Sequence, residues 1–354
     1  MHMADALLSP AVGGTLWAAT AGTIAYSSRK VKAELDDRKV PLMAVLGAFI
    51  FAAQMINFTI PGTGSSGHLG GGLILAALLG PYAAFITIAS VLTVQALFFA
   101  DGGLLALGCN IFNLGIFPCF LAYPLIFKPL TGDSPTPGRI LAGSLIGAVV
   151  GLQLGALGVV LETTFSGISS LPIGAFLLLM QPIHLAIGLV EGVVTAAVVT
   201  FVWKARPELL SARSIGVLSL RKVLVGLALT GLVTGGALAW FASAHPDGLE
   251  WSIAGVTGKG ELDAPEEGLH SWLAKLQDKT AFLPGYGFKP SGEESGAPSV
   301  AAWPAVDPGT SVSGLVGGLL TLGLTLLIAL ALKAMSKTGR KRSPPGSGDG
   351  KQAA

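Results

Sequence analysis

VPLMAVLGAFIFAAQMINFTIPGTGSSGHLGGGLILAALLGPYAAFITIASVLTVQALFFA, Val40 to Ala100, runs for 61 residues without one Asp, Glu, Lys or Arg. Two apolar halves, Val40–Ile60 and Leu69–Ala100, flank the polar, glycine-rich centre PGTGSSGH, Pro61–His68. About 20 apolar residues cross a bilayer as a helix, so both halves read as membrane-embedded. The rest of the chain agrees. Only 12% of its 354 residues are charged and 51% are hydrophobic, whereas a soluble domain carries about 25% charged residues. The chain reads as an all-α integral membrane protein.

Working outward, Ala6–Ser28 is a candidate first span, closed by the basic block Arg29–Lys39. Beyond Asp101-Gly102-Gly103 come Leu104–Phe127, Ile140–Leu161 and Leu171–Trp203, then a second basic block, Lys204–Lys222. Val223–Phe241 and Ser311–Leu332 are further spans that flank a polar segment, 243–310. The tail 336–354 is basic and rich in Pro, Gly and Ser, a composition that favours disorder. Sixteen of the 22 basic residues fall in three blocks, at Arg29–Lys39, Lys204–Lys222 and Lys333–Lys351, and ten of the 20 acidic residues lie between Asp247 and Asp307. Basic blocks beside spans mark the cytoplasmic side. Five apolar segments separate the first two blocks, and an even number of crossings is required. One long run is therefore a hairpin. Leu69–Ala100, broken at Gly80-Pro81, is the better choice and Leu171–Trp203, with Pro182, the fallback. This gives about seven spans to Trp203 and two more around the polar segment. The N-terminus, the His68 loop, Asp101 and segment 243–310 then share the outer face.

Residues 1–28 carry no Lys or Arg, unlike the n-region of a secretory signal, so the first helix is expected to be retained with His2 second. A free amine followed by His is a chelator. The Met1 amine, the deprotonated His2 amide and His2 Nδ1 close two fused rings around one ion, and His68 from the same face fills the fourth corner. Four nitrogens in a plane suit Ni(II), Cu(II) or low-spin Co(II), and suit Zn(II) or Mg(II) poorly. The competing reading is a His that binds nothing. GTGSSGHLGGG lacks the strand and the Lys of a nucleotide loop. Cys109 and Cys119 read as small buried hydrophobes rather than as ligands or a disulfide.

Met-His at the start, QMINFTIPGTGSSGHLGGG, LLGPYAAF, FADGGLLALGCNIFNLG and HLAIGLVEG occur in the order seen in one family. Residues 1 to about 205 resemble the membrane substrate-binding M component of cobalt/nickel energy-coupling-factor (ECF) transporters. Residues 220–335, with Pro246-Asp247-Gly248-Leu249-Glu250, resemble the PDGLE/N-component domain. The resemblance implies a helical bundle like the substrate-binding components of ECF transporters, with an extra N-terminal helix. It also implies capture of Ni(II) or Co(II) by Met1, His2 and His68, and no cofactor. A separate transmembrane coupling subunit and cytoplasmic ABC ATPases are the implied partners. Members commonly begin Met-His-Ile where this chain has Met3, a difference expected to affect packing rather than ligation.

Other polar residues stay open between two roles. Asn57 and Asn110 either tie helices together or orient the chelate. Asp101 either caps a turn or draws cations inward. His184 and Glu191, seven residues apart on one helix side, are functional or simply tie helices. His245 and His270 read as solvated bystanders. No HExxH, no carboxylate pair within a span and no basic-aromatic pattern argue for an enzyme or a nucleic-acid binder.

The sequence thus divides into a metal-binding region (1–205), a cytoplasmic linker (206–222), a PDGLE-like region (223–335) and the tail. The expected role is the metal-capture subunit of an ECF importer in the lipid of a bacterial inner membrane, N-terminus outside and C-terminus inside. The alternative is a stand-alone secondary transporter of divalent ions.

Overall fold

The computed structural model describes residues 2–34, 38–210, 219–289 and 303–341. Helix α1 spans Pro10–Glu34 and α2 spans Lys39–Gln54. A short hairpin follows, β1 (Phe58–Ile60) against β2 (Ser65–Gly67), with Thr59 opposite Ser66. Then come α3 (Gly72–Leu79), α4 (Pro81–Phe99), α5 (Leu107–Thr131), α6 (Pro137–Ser166) and α7 (Ile173–Ala205). The second region supplies α8 (Leu220–Gly236), α9 (Gly248–Thr257), α10 (Gly268–Thr280) and α11 (Pro308–Lys341).

Among the described residues, five helices are long and apolar enough to cross a membrane: α4, α5, α6, α7 and α11. α1 is long enough but less apolar, while α2, α3 and α8 are shorter. The chain is a multi-pass membrane protein. Every residue of α3 is buried, which is what an eight-residue helix inside a bilayer requires, since its unpaired ends must be screened by protein.

The chain reverses at Gly80-Pro81. Gly80 has φ 81, a conformation that suits glycine, and Pro81 starts the next helix where its missing N–H costs nothing. Gln54 Nε2 donates to Gly70 O at 2.9 Å, and Gln95 Nε2 donates to Gln54 Oε1 at 2.9 Å. The start of α3 and the end of α4 therefore lie at one level, so Leu69–Ala100 is a hairpin. Leu171–Trp203 is not one: α7 runs unbroken through Pro182. α5 accommodates Pro118 and Pro124 by widening into π turns over Phe112–Phe127.

α8 and α11 pack on α2 through small residues. A side chain at Gly314 would strike the Gly235 backbone, and Gly47 faces Thr321 and Thr325. Such close approach is how helices associate where lipid offers no hydrophobic drive. α9 and α10 lie across the end of the bundle that carries the β hairpin. Gln277 Nε2 donates to Ala96 O and Gly102 O at 2.9 and 2.8 Å, Trp251 Nε1 to Thr63 O at 2.9 Å and Ser243 N to Asn57 O at 2.7 Å. The opposite end holds Val31, Lys39 and the Gly80 turn around one small cavity. α11 continues to Lys341, into the stretch expected to be disordered. The remainder of that tail, and residues 211–218 of the basic linker, lie outside the described residues.

Candidate metal centre

The hairpin β1–β2 delivers His68 to the covered end of the bundle, and the loop after it is held from two sides. Glu191 of α7 accepts Gly70 N at 2.7 Å and Gly71 N at 3.1 Å, while Gln54 donates to Gly70 O. Gly71 has φ 77, and a Cβ there would meet Ile50 Cγ2 at 2.7 Å. That position needs glycine on both counts. Glu191 is therefore the clamp of the His68 loop.

The N-terminal segment enters the same place. Asn110 of α5 grips Met3 on both backbone groups: Met3 N donates to Oδ1 at 2.8 Å, and Nδ2 donates to Met3 O at 3.2 Å. Gly103 N adds a bond to Met3 O at 2.9 Å, and Asp5 Oδ1 accepts Ala106 N at 2.9 Å. Chain residues 2–8 are thus sewn to the turn after α4.

His2 and His68 stack, with ring centroids 4.9 Å apart and planes 10° from parallel. In the chelate read from sequence, His68 sits on a corner next to the His2 imidazole. With each nitrogen about 2 Å from the ion, neighbouring corners of a square put ring centres about 4.5 Å apart. The observed spacing is close to that, and one ring must turn out of the parallel stack for both to meet one ion. His2 Nδ1 lies 3.2 Å from Asp101 Oδ1, so ion binding through Nδ1 exchanges that contact for the metal. His2 Nε2 is buried with no hydrogen-bond partner among the described residues.

Burial pushes the His2 pKa down, against the pull of Asp101. Burial also lowers that of His68, to about 3, with neighbouring positive charge adding to the effect. Both rings are consequently neutral in the physiological range, the form that binds a metal. Tyr286, between α10 and α11, donates its hydroxyl to the other oxygen of Asp101. Asp247 lines one cavity with His2, Asp101 and Tyr286. It caps α9, accepting Leu249 N and Glu250 N at 2.8 and 2.9 Å, and it lines a small cavity with His68 and His184.

Of the residues singled out from sequence, His2, His68, Asp101 and Asn110 come together here. Met1 lies outside the described residues. Asn57 is placed just before β1, where its carbonyl takes Ser243 N, and no described contact joins it to His2 or His68. His270 is a correction. It is 5% exposed, and its Nε2 is 2.8 Å from Leu8 O, so it anchors the N-terminal segment instead of standing in solvent. His245 is exposed as expected, and its carbonyl accepts the Ser66 hydroxyl at 2.8 Å. Gln95, Asp247 and Tyr286 were missed. The single amide side chain of the apolar α4, Gln95, was the available signal for the first. For Asp247 and Tyr286, only the acidic stretch near the PDGLE run pointed this way. Glu162, placed by sequence just past the end of a span, is inside α6 and accepts Asn113 Nδ2 at 2.9 Å. No three His, Cys, Asp or Glu side chains converge as a metal cluster among the described residues.

Residues 2–209, more than half of the chain, match the cobalt uptake substrate-specific transmembrane region. The chain belongs to this family. Residues 221–334 match the PDGLE domain, so the two regions form a fusion. A fused nickel transport protein of Rhodobacter capsulatus is 31% identical over 310 residues, covering 81% of this chain and 88% of the relative. A putative metal transport protein of Haloquadratum walsbyi is 38% identical over 209 residues, 59% of this chain and 93% of the relative. A solved transition metal transporter structure is 32% identical with a TM-score of 0.52, covering 59% of this chain and 95% of that one. The chain thus belongs to a family of metal transport proteins.

Proposed function

We propose that the chain is the metal-capture subunit of an ECF importer for Ni(II) or Co(II). The observation that carries this reading is the paired imidazoles of His2 and His68, 4.9 Å apart at the covered end of the bundle, with the backbone of Met3 held by Asn110. Met1 and His2 supply an amine, an amide and an imidazole nitrogen, and His68 completes the plane. The name of the Rhodobacter capsulatus relative, which is of this fused type, favours nickel as cargo. The loop end faces out of the cell, a reading supported by the basic blocks beside the spans, and the membrane is the bacterial inner membrane. This chain has no nucleotide-binding loop, so ATP is hydrolysed by separate ATPases acting through a coupling subunit. The basic stretch 204–222 is the docking surface for that machinery.

Against the secondary-transporter reading stands the commitment of Glu191 to Gly70 and Gly71. The test is uptake of nickel by cells carrying the whole transporter. His2→Ala or His68→Ala should abolish it with the protein still in the membrane. Near-normal uptake in either variant refutes the reading, and full uptake by this chain without its partners favours the rival.

A further inference from the structure

We propose that α10 is a membrane-surface helix, its exposed apolar face seated among the lipid headgroups and upper acyl chains at the covered end of the bundle. α10, Gly268–Thr280, carries two unlike faces. One turns to the protein. His270 Nε2 is bonded to Leu8 O, and Gln277 Nε2 donates to Ala96 O and Gly102 O. The other face is Leu269, Trp272 and Leu276, at i, i+3 and i+7 and therefore on one stripe of the helix. All three are exposed, Trp272 to 61%. A helix that met only protein and water would carry polar side chains there. Lys275 and Lys279, three and seven residues beyond Trp272, border the stripe, and Asp278 lies on the far side of the helix. A contiguous apolar face with a polar rim marks an interaction surface.

Continuity with the membrane-embedded surface names lipid as the cover. Just past α10, Phe282 is 47% exposed and packs its ring on Phe98 of the span α4, centroids 5.6 Å apart. Gln277 is bonded to Ala96 O in the last turn of the same span, so α10 lies at the level where α4 leaves the bilayer. Exposed aromatic rings recur at this end of the bundle. Phe241, after α8, and Trp303, before α11, meet edge to face at 5.6 Å. Aromatic belts of this kind mark the boundary between lipid and water. α10 is too short to span, at 13 residues. One apolar face on a short helix of low overall hydrophobicity, with lysines at its border, describes a helix lying in the interface plane. The lysine stems can follow the apolar surface and carry their charges to headgroup phosphates. Through His270 and Gln277 the helix then ties the N-terminal segment and the turn after α4 to the bilayer surface.

The test uses the full chain in phosphatidylcholine nanodiscs, with a nitroxide attached at Trp272→Cys, Leu276→Cys or Asp278→Cys, one variant at a time. Cys109 and Cys119 are buried, and the unsubstituted chain, treated alike, is the blank. Power saturation reads how often the label collides with oxygen, which concentrates in lipid, and with tris(oxalato)chromate(III), which stays in water. The ratio of oxygen to chromate collisions at 272 and at 276 should exceed that at 278 several-fold. Equal ratios at the three positions overturn the proposal. Shielding of 272 and 276 from chromate without a gain in oxygen collisions also overturns it, because that pattern belongs to a protein cover, such as a second copy of this chain.

Discussion

Asn110→Ala tests whether the N-terminal segment is pre-set for capture. Asn110 is 2% exposed and Met3 is fully buried. The amide side chain supplies the acceptor for Met3 N and one of two donors to Met3 O, the other being Gly103 N. Truncation to Ala thus orphans one buried N–H and weakens the hold on one carbonyl. An orphaned buried donor costs about 1–3 kcal/mol. The segment escapes that cost by detaching into water, and the ion must then bring it back before chelation. The cost appears as lost affinity, since about 1.4 kcal/mol is a factor of ten: roughly 5- to 150-fold, centred near 30-fold. The assay is a Ni(II) titration of purified chain against a competing chelator at fixed pH. Stoichiometry at saturating nickel should stay at one per chain, which separates a loosened site from a misfolded one. An affinity within about twofold of wild type would show that holding Met3 contributes nothing and refute the reasoning.

Further expectations concern the neighbours of the site. Tyr286→Phe removes the hydroxyl donated to Asp101, and one hydrogen bond of about 0.5–1.5 kcal/mol bounds the affinity change near tenfold; a larger change in a nickel titration would mean that Tyr286 does more. Glu191→Ala frees Gly70 N and Gly71 N, so it should weaken nickel binding more than Glu191→Gln, which keeps one acceptor oxygen; equal effects would argue against the clamp. The partly buried His68 ring refuses a proton down to about pH 3, while in the unfolded chain it takes one up near 6.5. Between those values the unfolded state binds more protons, so stability falls as pH drops below 6.5, and thermal melts of chelator-treated protein at pH 7 and pH 5 should show a lower melting temperature at pH 5. His270→Ala removes the contact to Leu8 O and should lower nickel affinity without removing a ligand; no change would separate the anchor from the site.

Most of the architecture was legible because lipid leaves the chain few options. An uncharged run must be helix, and charge marks its ends. The parity of basic blocks demanded one hairpin, and Gly80-Pro81 was the weaker link because glycine and proline can turn a chain there without lost hydrogen bonds. The same parity brought His2, His68 and Asp101 to one end. What stayed hidden depends on contacts far apart in sequence. Glu191 could be read as tie or site, but nothing local says that its oxygens meet Gly70 and Gly71, 121 and 120 residues away. Asn57 and Asn110 look alike in sequence. Only the packing of α5 beside the N-terminal segment makes one of them a clamp. His270 sits in a polar helix and looked solvated, yet α10 lays it against Leu8. Asp247 was legible as a helix cap, and its second neighbour, the His68 cavity, follows from how α9 crosses the bundle.

The most direct test of the central claim is X-ray absorption on the Ni(II)-loaded full chain, with and without an acetyl group on the Met1 amine. The account predicts an all-nitrogen shell at about 2 Å with the multiple scattering of two imidazoles, and loss of both signatures when the amine is acetylated. A nickel shell rich in oxygen, or the same nitrogen shell in the acetylated chain, would contradict it.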